Sequence, residues 1–585
     1  MALEMIGVNS MDTGRYKAVV IQDEGDKQAI KGFIKIAHVL SAGTIAGSGK
    51  HDGSLHGQLN LDKLDGLCDV IATFSGLKAE FVGTITYDDE RLLEIPIILP
   101  QGEPNEAEMD NLARYLMGGG FVIGSYWPEA LIKYGGLIEG HDLSPVTLTE
   151  AFLKRIEDVN PKLNAYVTVT GERALDDARA AEQEIANGIY KGPLHGIPIA
   201  LKDIYDTAGI RTTSQSHLHI SRTPTRDSQT AALLRAAGTV MLGKLTTHEF
   251  AFAGPAWDLP FPPALNPWNT DYFTGGSSSG SGAATAAGLA MATLGSDTAG
   301  SIRMPAFFCG ISGLKPTYGR VSRRGVSPLA YSLDHCGPMT WSARDAALML
   351  QVISGYDTED PASCNCPVPD YASALTGEIK GVKVGLIRHF YDGDEHADAE
   401  VKAAMDEMLH TLQELGAEIE EIQLSNLHDY SACCLIIMLC EALAIHEHDL
   451  KATPQKYSEI FRDRLMVSSL LTGIDYVQAV RLRRQLTTEI EDVLTCFDVL
   501  LTAGGFAPAP KLEEVSKFYV MQKPLLTAPF DVTGSPAIGV RNGFSAEGLP
   551  IGAQIVGRAF DEATVLRVAD AYEQATDWRK QRPSL

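Results

Sequence analysis

The 585-residue sequence is short of positive charge. With 49 Lys and Arg against 74 Asp and Glu, a net charge of −25, it has no basic surplus to neutralise a phosphate backbone or an anionic bilayer. Composition therefore argues against a nucleic-acid groove or a membrane surface as partner. A paired-cysteine pattern is also missing. The nine cysteines are odd in number and show no spacing that builds a zinc site or a disulfide framework. Cys364 and Cys366 are two apart, and Cys433, Cys434 and Cys440 fall in an apolar run, the pattern of reduced thiols in a cytoplasmic protein. There is no apolar run of membrane length. The longest, Ala432 to Ile445, is interrupted by Glu441 and falls short of the roughly 20 residues a bilayer requires, so it reads as a buried helix. The N-terminus has no basic region followed by an apolar one, which argues against secretion. What remains is an ordinary globular balance, 45% hydrophobic and 21% charged, in a chain long enough for more than one core.

The stretch around which the chain is organised is 275 to 306, GGSSSGSGAATAAGLAMATLGSDTAGSIRMPA. It opens on a Gly-Gly-Ser-Ser-Ser-Gly turn, runs through small residues of helical composition and closes on Gly300-Ser301-Ile302-Arg303. Two serine-bearing turns are thus held about one element apart. A serine hydroxyl becomes a nucleophile when a nearby base takes its proton, and its attack on a carbonyl needs backbone N–H donors aimed at the developing oxyanion. The segment Asp297-Thr298-Ala299-Gly300-Ser301 suits that need, because Gly300 has no Cβ and lets successive N–H groups turn toward one point. A flexible Gly/Ser linker is the competing reading, but the apolar run Ala283 to Leu294 is wrong for a solvated linker.

Residues 1 to 126 read as a separate small α/β unit. Ala18 to Ile21, Ile95 to Leu99 and Phe121 to Ile123 have strand character, and a helix is expected from Asn105, with Met109, Leu112 and Leu116 on one face and Gly118-Gly119-Gly120 ending it. The unit is loosely similar to small glutamine-amidotransferase-like domains. Gly47-Ser48-Gly49-Lys50-His51 fails as a phosphate loop, because Thr44 stands where a glycine is needed and His51 where a magnesium-binding Ser or Thr would be. A solvated loop is the reading here.

From Ser144 the chain turns helical, with Leu148, Phe152 and Ile156 recurring every four residues. Ile197 to Leu201 then reads as a strand buried on both faces, ending on Lys202. A lysine there is costly unless paired or neutral. In isolation, a buried stem with a solvated amine would be the simpler reading.

These residues resemble the amidase signature family. Its members are similar in the paired serine turns and the upstream lysine, and the match covers roughly 127 to 585. Lys202 precedes Ser301 by 99 residues and Ser277 precedes it by 24, both typical of the family. The resemblance implies Lys202 as base, Ser277 as bridging serine preceded by a cis peptide bond, and Ser301 as nucleophile. It places the oxyanion hole on the N–H groups of Thr298, Ala299, Gly300 and Ser301; members usually carry Gly where Ala299 stands. Ser278, Asp297 and Arg303 are expected as supports. The implied fold is a three-layer α/β/α architecture with a mixed, mostly parallel central sheet, preceded by the small α/β unit. Neither metal nor organic cofactor is expected: His248-Glu249 and His446-Glu447-His448 lack the i, i+4 spacing and third ligand of a helical metal site.

The stiff segment AWDLPFPPALNPW, 256 to 268, suits an apolar pocket wall or simple packing, and Trp257 and Phe261 are expected from it as substrate contacts. Arg320 either meets substrate or braces Asp334 or a backbone carbonyl. Val382 to Ile387, a helix carrying Val401, Met405, Met408, Leu412 and Leu415, and Ile419 to Leu424 form a β-α-β unit. Pro529 to Ala537 and Gly548 to Gly552 again resemble the family, with two departures. Subunits that make ammonia for transfer-RNA amidation usually carry an acidic glutamine anchor where this chain has Pro524, and members often read Thr-Pro where it has Thr502-Ala503-Gly504-Gly505. On those departures the expectation is a standalone amidase, a monomer or homodimer, hydrolysing small-molecule amides or carbamates (a urethanase) through an acyl-enzyme, without nucleic acid or membrane. The alternatives are a glutamine-dependent transfer-RNA amidotransferase subunit and a non-catalytic scaffold. A role for residues 1 to 126 as recruiter also stays open.

Overall fold

The computed structural model describes residues 131–585 and, before them, the backbone of six strands. The chain divides into two compact units, Met1–Trp127 and Pro128–Leu585. In the first, β1 (Ile21–Gln22) pairs antiparallel with β2 (Ile30–Lys31). Four parallel strands follow: β3 (Phe33–Leu40), β4 (Lys78–Thr86), β5 (Ile97–Gln101) and β6 (Phe121–Val122), in the order β4-β3-β5-β6. The helix expected from Asn105 and the Gly47 to His51 loop lie outside the described residues.

The second unit is built on an eleven-stranded sheet. Its strands are β7 (Tyr166–Val169), β8 (Pro198–Lys202), β9 (Val240–Leu245), β10 (Ala292–Asp297), β11 (Ser312–Lys315) and β12 (His335–Thr340). They continue with β13 (Lys383–Leu386), β14 (Glu418–Glu421), β15 (Val499–Ala503), β16 (Ala537–Phe544) and β17 (Pro550–Gly557). The order is β14-β13-β15-β17-β16-β11-β12-β10-β8-β9-β7. The sheet is mixed: β9-β8-β10 and β14-β13-β15 pair in parallel, while the strands between them are antiparallel. Strands buried on both faces, such as β8, β9 and β10, require helices on both sides of a sheet.

Those helices form where the apolar period predicts. Ser144 caps Pro145–Leu163 by accepting from the N–H groups of Val146 and Thr147, and Leu148, Phe152 and Ile156 face the core. The β-α-β unit is β13, the Ala399–Glu414 helix with Val401, Met405, Met408 and Leu412 buried, and β14, with Lys383 opposite Glu418. Among the described residues one helix, Leu427–Ala452, has the length and composition of a membrane span. It instead carries Tyr430, Cys433, Ile437, Met438 and Ala442 into the core and packs on Gly473–Val493.

The signature stretch folds differently from its small-residue reading. Ser279–Ala286 is a buried helix that Gly288 ends at φ +64, after which β10 leads straight to the Ser301 turn. The run is too small to fill a longer helix face, and Thr293 and Leu294 suit a strand packed on both sides. The turn that carries Ser301 thus leaves the end of a central strand, next to the strand that ends on Lys202.

Candidate active site

Lys202 is fully buried and its Nζ meets three hydroxyls: Ser277 Oγ at 2.7 Å, Ser296 Oγ at 2.9 Å and Ser278 Oγ at 3.0 Å. No carboxylate contacts it among the described residues, and burial pushes its pKa down to about 7, with Asp297 working more weakly in the other direction. The Gly276–Ser277 peptide is cis, and the Ser277 carbonyl accepts from the His248 N–H at 3.0 Å and the Thr247 hydroxyl at 3.1 Å. A Cβ on Gly276 would lie 2.0 Å from the His248 ring, so this turn needs glycine for close packing.

Ser277 and Ser301 border the same small cavity, about 30 Å3, with Thr298, Ala299, Gly300, His248, Phe252, Met304, Met438 and Leu525. The cavity shares Ala299, Met438, Val520 and Leu525 with an outer vestibule of about 200 Å3, whose remaining wall includes His428, Ser431, Lys523 and Pro524. A larger cavity of about 770 Å3 shares Ala251 and Leu329 with the Ser301 chamber and reaches Ser296, Arg323, Asp334 and His335.

The turn before Ser301 is held by a buried charge network. Arg303 binds Asp297 through Nε at 3.0 Å and Nη2 at 3.1 Å, Asp531 at 2.6 Å, and Gln554 and the Thr527 carbonyl at 3.0 Å each. Asp297 in turn accepts from the N–H groups of Gly300 at 2.6 Å and Ile302 at 3.1 Å. Burial works to raise the Asp297 pKa, but the Arg303 guanidinium overrides it and holds the carboxyl well below the usual range. One expectation needs correcting here. The Gly300 N–H, assigned to the oxyanion hole, is already engaged by Asp297, which leaves Thr298, Ala299 and Ser301; among the described residues nothing accepts from those three. Gly300 sits at φ +123, where a Cβ would lie 2.3 Å from Thr527 Oγ1, and the Thr527 hydroxyl donates to the Ala299 carbonyl at 2.6 Å.

The expected substrate contacts are not brought to this chamber. Arg320 is buried beneath Phe560, where it donates to the Pro367 carbonyl at 2.9 Å and pairs with Glu562 at 3.4 Å, so it braces the chain against a carboxylate other than Asp334. Trp257 is 68% exposed, and Phe261 lies under the Arg211 guanidinium. Walls that sequence reading missed come from distant segments: Met438 on the Leu427–Ala452 helix, and Tyr519, Val520 and Leu525. Apolar residues in unremarkable contexts carry no local signal of such a role. Ser296, the third hydroxyl on Lys202, stands immediately before Asp297 at the end of β10, and that adjacency was the one available hint.

A sequence profile described as Amidase matches residues 147–566. A glutamyl-tRNA(Gln) amidotransferase subunit of Geobacter metallireducens is 43% identical over 472 residues, covering 76% of this chain and 96% of that protein. Further relatives of the same name are 38–42% identical. Among solved structures, a chain of a vestigial protein complex tied to the origins of an s-triazine catabolic enzyme superposes with a TM-score of 0.72 at 30% identity, covering 78% of this chain and all of that one. The peptide amidase of Stenotrophomonas maltophilia gives 0.70 at 29%, with 78% and 99% covered.

These similarities overturn the expectation of a standalone hydrolase of small amides or carbamates, monomeric or homodimeric and unconnected with nucleic acid. The relatives that match through nearly their whole length are subunits, named for a tRNA substrate. The two departures that favoured the standalone reading weigh less than they promised. Thr502 and Ala503 lie buried in β15, and Gly504 packs against the Phe307 ring, where a Cβ would meet it at 2.7 Å. That change belongs to core packing, not to the pocket. Pro524 does line the vestibule, but one position does not outweigh identity along the whole relative.

Proposed function

The chain belongs to the amidase family of serine hydrolases that cleave C–N amide bonds, and on that premise we propose that it is the amide-hydrolysing subunit of an amidotransferase of the glutamyl-tRNA(Gln) type, releasing ammonia from glutamine for use by a partner chain. The observation that carries the reading is the 43% identity over 96% of the length of the Geobacter metallireducens protein. With a net charge of −25 the chain itself is a poor holder of RNA, so in this reading the tRNA sits on the partner.

The chemistry follows from hydrogen-bond bookkeeping at Lys202. A neutral amine has two N–H donors and one lone pair. Ser278 donates its own proton to the Ser296 carbonyl at 3.2 Å and therefore accepts from Lys202. Ser296 takes the second N–H, and the lone pair is left for the Ser277 proton. Ser277 relays the Ser301 proton to Lys202 as Ser301 Oγ attacks the carboxamide carbon, and the N–H groups of Thr298, Ala299 and Ser301 hold the oxyanion. Collapse breaks the C–N bond, the relayed proton goes to the departing nitrogen, and ammonia leaves. Water, deprotonated by the same relay, then cleaves the acyl-enzyme. The chamber of about 30 Å3 holds little more than a primary carboxamide, while Ser431, His428 and Lys523 offer the vestibule polar groups for the charged end of an amino acid.

The test is ammonia release from glutamine by the full chain, alone and with purified companion subunits of the Geobacter metallireducens enzyme. Release that rises with the companions and vanishes in Ser301→Ala supports the reading. Labelling of Ser301 by a fluorophosphonate without glutamine turnover in either condition would overturn it.

A further inference from the structure

The helix Gly473–Val493 buries only Ala479, Leu486 and Ile490. Its outer face and the turn before it carry an unusual run of exposed apolar side chains: Leu470 at 79%, Ile474 at 73% and Val477 at 55% of full exposure, with Met466 at 61% at the end of the preceding helix. Ile474 and Val477 are followed at helical spacing by Arg481 and Arg484, so one face runs from apolar to basic. Both arginines are exposed, and neither has a carboxylate within ion-pairing distance among the described residues; Arg481 reaches only Gln478, at 3.5 Å. Scattered apolar residues on a surface mean little, whereas a contiguous stripe bordered by unpaired charge marks a contact.

Resting on the subunit reading above, we propose that this face, Met466 to Arg484, docks a partner subunit through a segment that is apolar where it meets Leu470, Ile474 and Val477 and acidic where it meets Arg481 and Arg484. Charge decides among occupants. A second copy paired antiparallel across a two-fold axis would set the arginines of each copy against the apolar Met466–Leu470 end of the other, where nothing pairs their charge. An anionic membrane would attract the arginines but repel a chain with a net charge of −25. An acidic protein segment satisfies both halves of the stripe, with the apolar half supplying the buried centre and the arginines the orientation.

The inner face of the same helix is wired toward the active site. The Tyr476 hydroxyl donates to Glu441 at 2.9 Å, and Glu441 also accepts from the Ser332 N–H at 2.9 Å and hydroxyl at 2.6 Å. Ser332 borders the large cavity that shares Ala251 and Leu329 with the Ser301 chamber. Arg483 donates to the Val532 carbonyl at 2.7 Å, next to Asp531 of the network under the nucleophile turn. A partner seated on this face therefore bears on the elements that hold the site.

The experiment measures binding of the purified Geobacter metallireducens companion subunits to the full-length chain by sedimentation velocity and calorimetry, for wild type, I474D/V477D and R481E/R484E. Each variant is first shown to keep its melting temperature and its fluorophosphonate labelling at Ser301. Wild-type binding that falls roughly thirty-fold or more in both variants supports the docking face. Binding retained within about two-fold by both overturns the face and leaves the glutamine reading intact. Three other outcomes also overturn the proposal: wild type that binds no companion, wild type that self-associates in a manner abolished by I474D/V477D, or selective binding to vesicles of anionic phospholipid lost in R481E/R484E. Glutamine turnover is scored separately, so failure of that reading is seen as absent ammonia release whatever the binding result.

Discussion

Lys202 Nζ and Ser277 Oγ lie 2.7 Å apart on two buried side chains, and hydroxyls, not carboxylates, surround the amine. A buried lysine without a counter-ion favours the neutral state, in which the amine has a lone pair free to accept a proton.

The pH dependence follows in sign. Lys202 must be neutral to accept a proton, and burial lowers its pKa to about 7, so kcat/KM for amide hydrolysis rises through that region and levels off above it. A profile that is flat or falling between about pH 6 and 8, with chemistry rate-limiting, contradicts the role.

Stability carries the same signature. The folded pKa lies below the ordinary lysine value of 10.5, so between about 7 and 10.5 the unfolded chain binds the extra proton and the contribution of this group to stability grows with pH. Lys202→Met abolishes turnover and removes that slope. The denaturant midpoint of the wild type should rise relative to that of Lys202→Met from about pH 7.5 toward 9.5, and a difference that stays constant contradicts the lowered lysine pKa.

Replacing Ser301 with Ala lowers turnover by roughly three orders of magnitude or more while leaving the melting temperature within a few degrees. Steady-state assays in a preparation free of host amidase decide the point, and retained turnover would remove Ser301 from the mechanism.

Arg303 compensates the buried Asp297 carboxylate and also binds Asp531, whose pKa burial and the neighbouring Asp297 push well up. Its change to Ala leaves Asp297 without its cation and costs about 3–5 kcal/mol of stability. A denaturant titration that shows a loss below about 1 kcal/mol would contradict the compensating role of Arg303.

Arg320 separates a bracing role from a substrate contact. Arg320→Ala breaks the buried pair with Glu562 and lowers stability by about 3 kcal/mol, with KM changed by less than about two-fold in the surviving folded protein. A large rise in KM at unchanged melting temperature would restore the substrate-contact assignment.

Local structure was legible in the sequence wherever it depends on short-range order, while the roles given to Lys202, Ser277 and Ser301 came from family resemblance. The two serine turns, the lysine closing a doubly buried strand, the Asp297–Arg303 support and the β-α-β unit at 383–421 are set by local composition and period, because a turn needs its glycines and a buried strand its apolar run in place. The length of the helix after Ser278 was not legible, since Ala-rich segments suit helix and packed strand alike and the neighbours decide. Only the tertiary structure placed Met438, Tyr519 and Leu525 around Ser301, turned Arg320 toward Glu562 and committed the Gly300 N–H to Asp297. Those are contacts between residues far apart in the chain, and their energies depend on what burial brings opposite each group, which no local pattern records. The exposed stripe at Leu470, Ile474 and Val477 is the same lesson reversed: apolar residues at helical spacing predict a buried face, and only the packed structure reveals that the core lies on the other side of the helix.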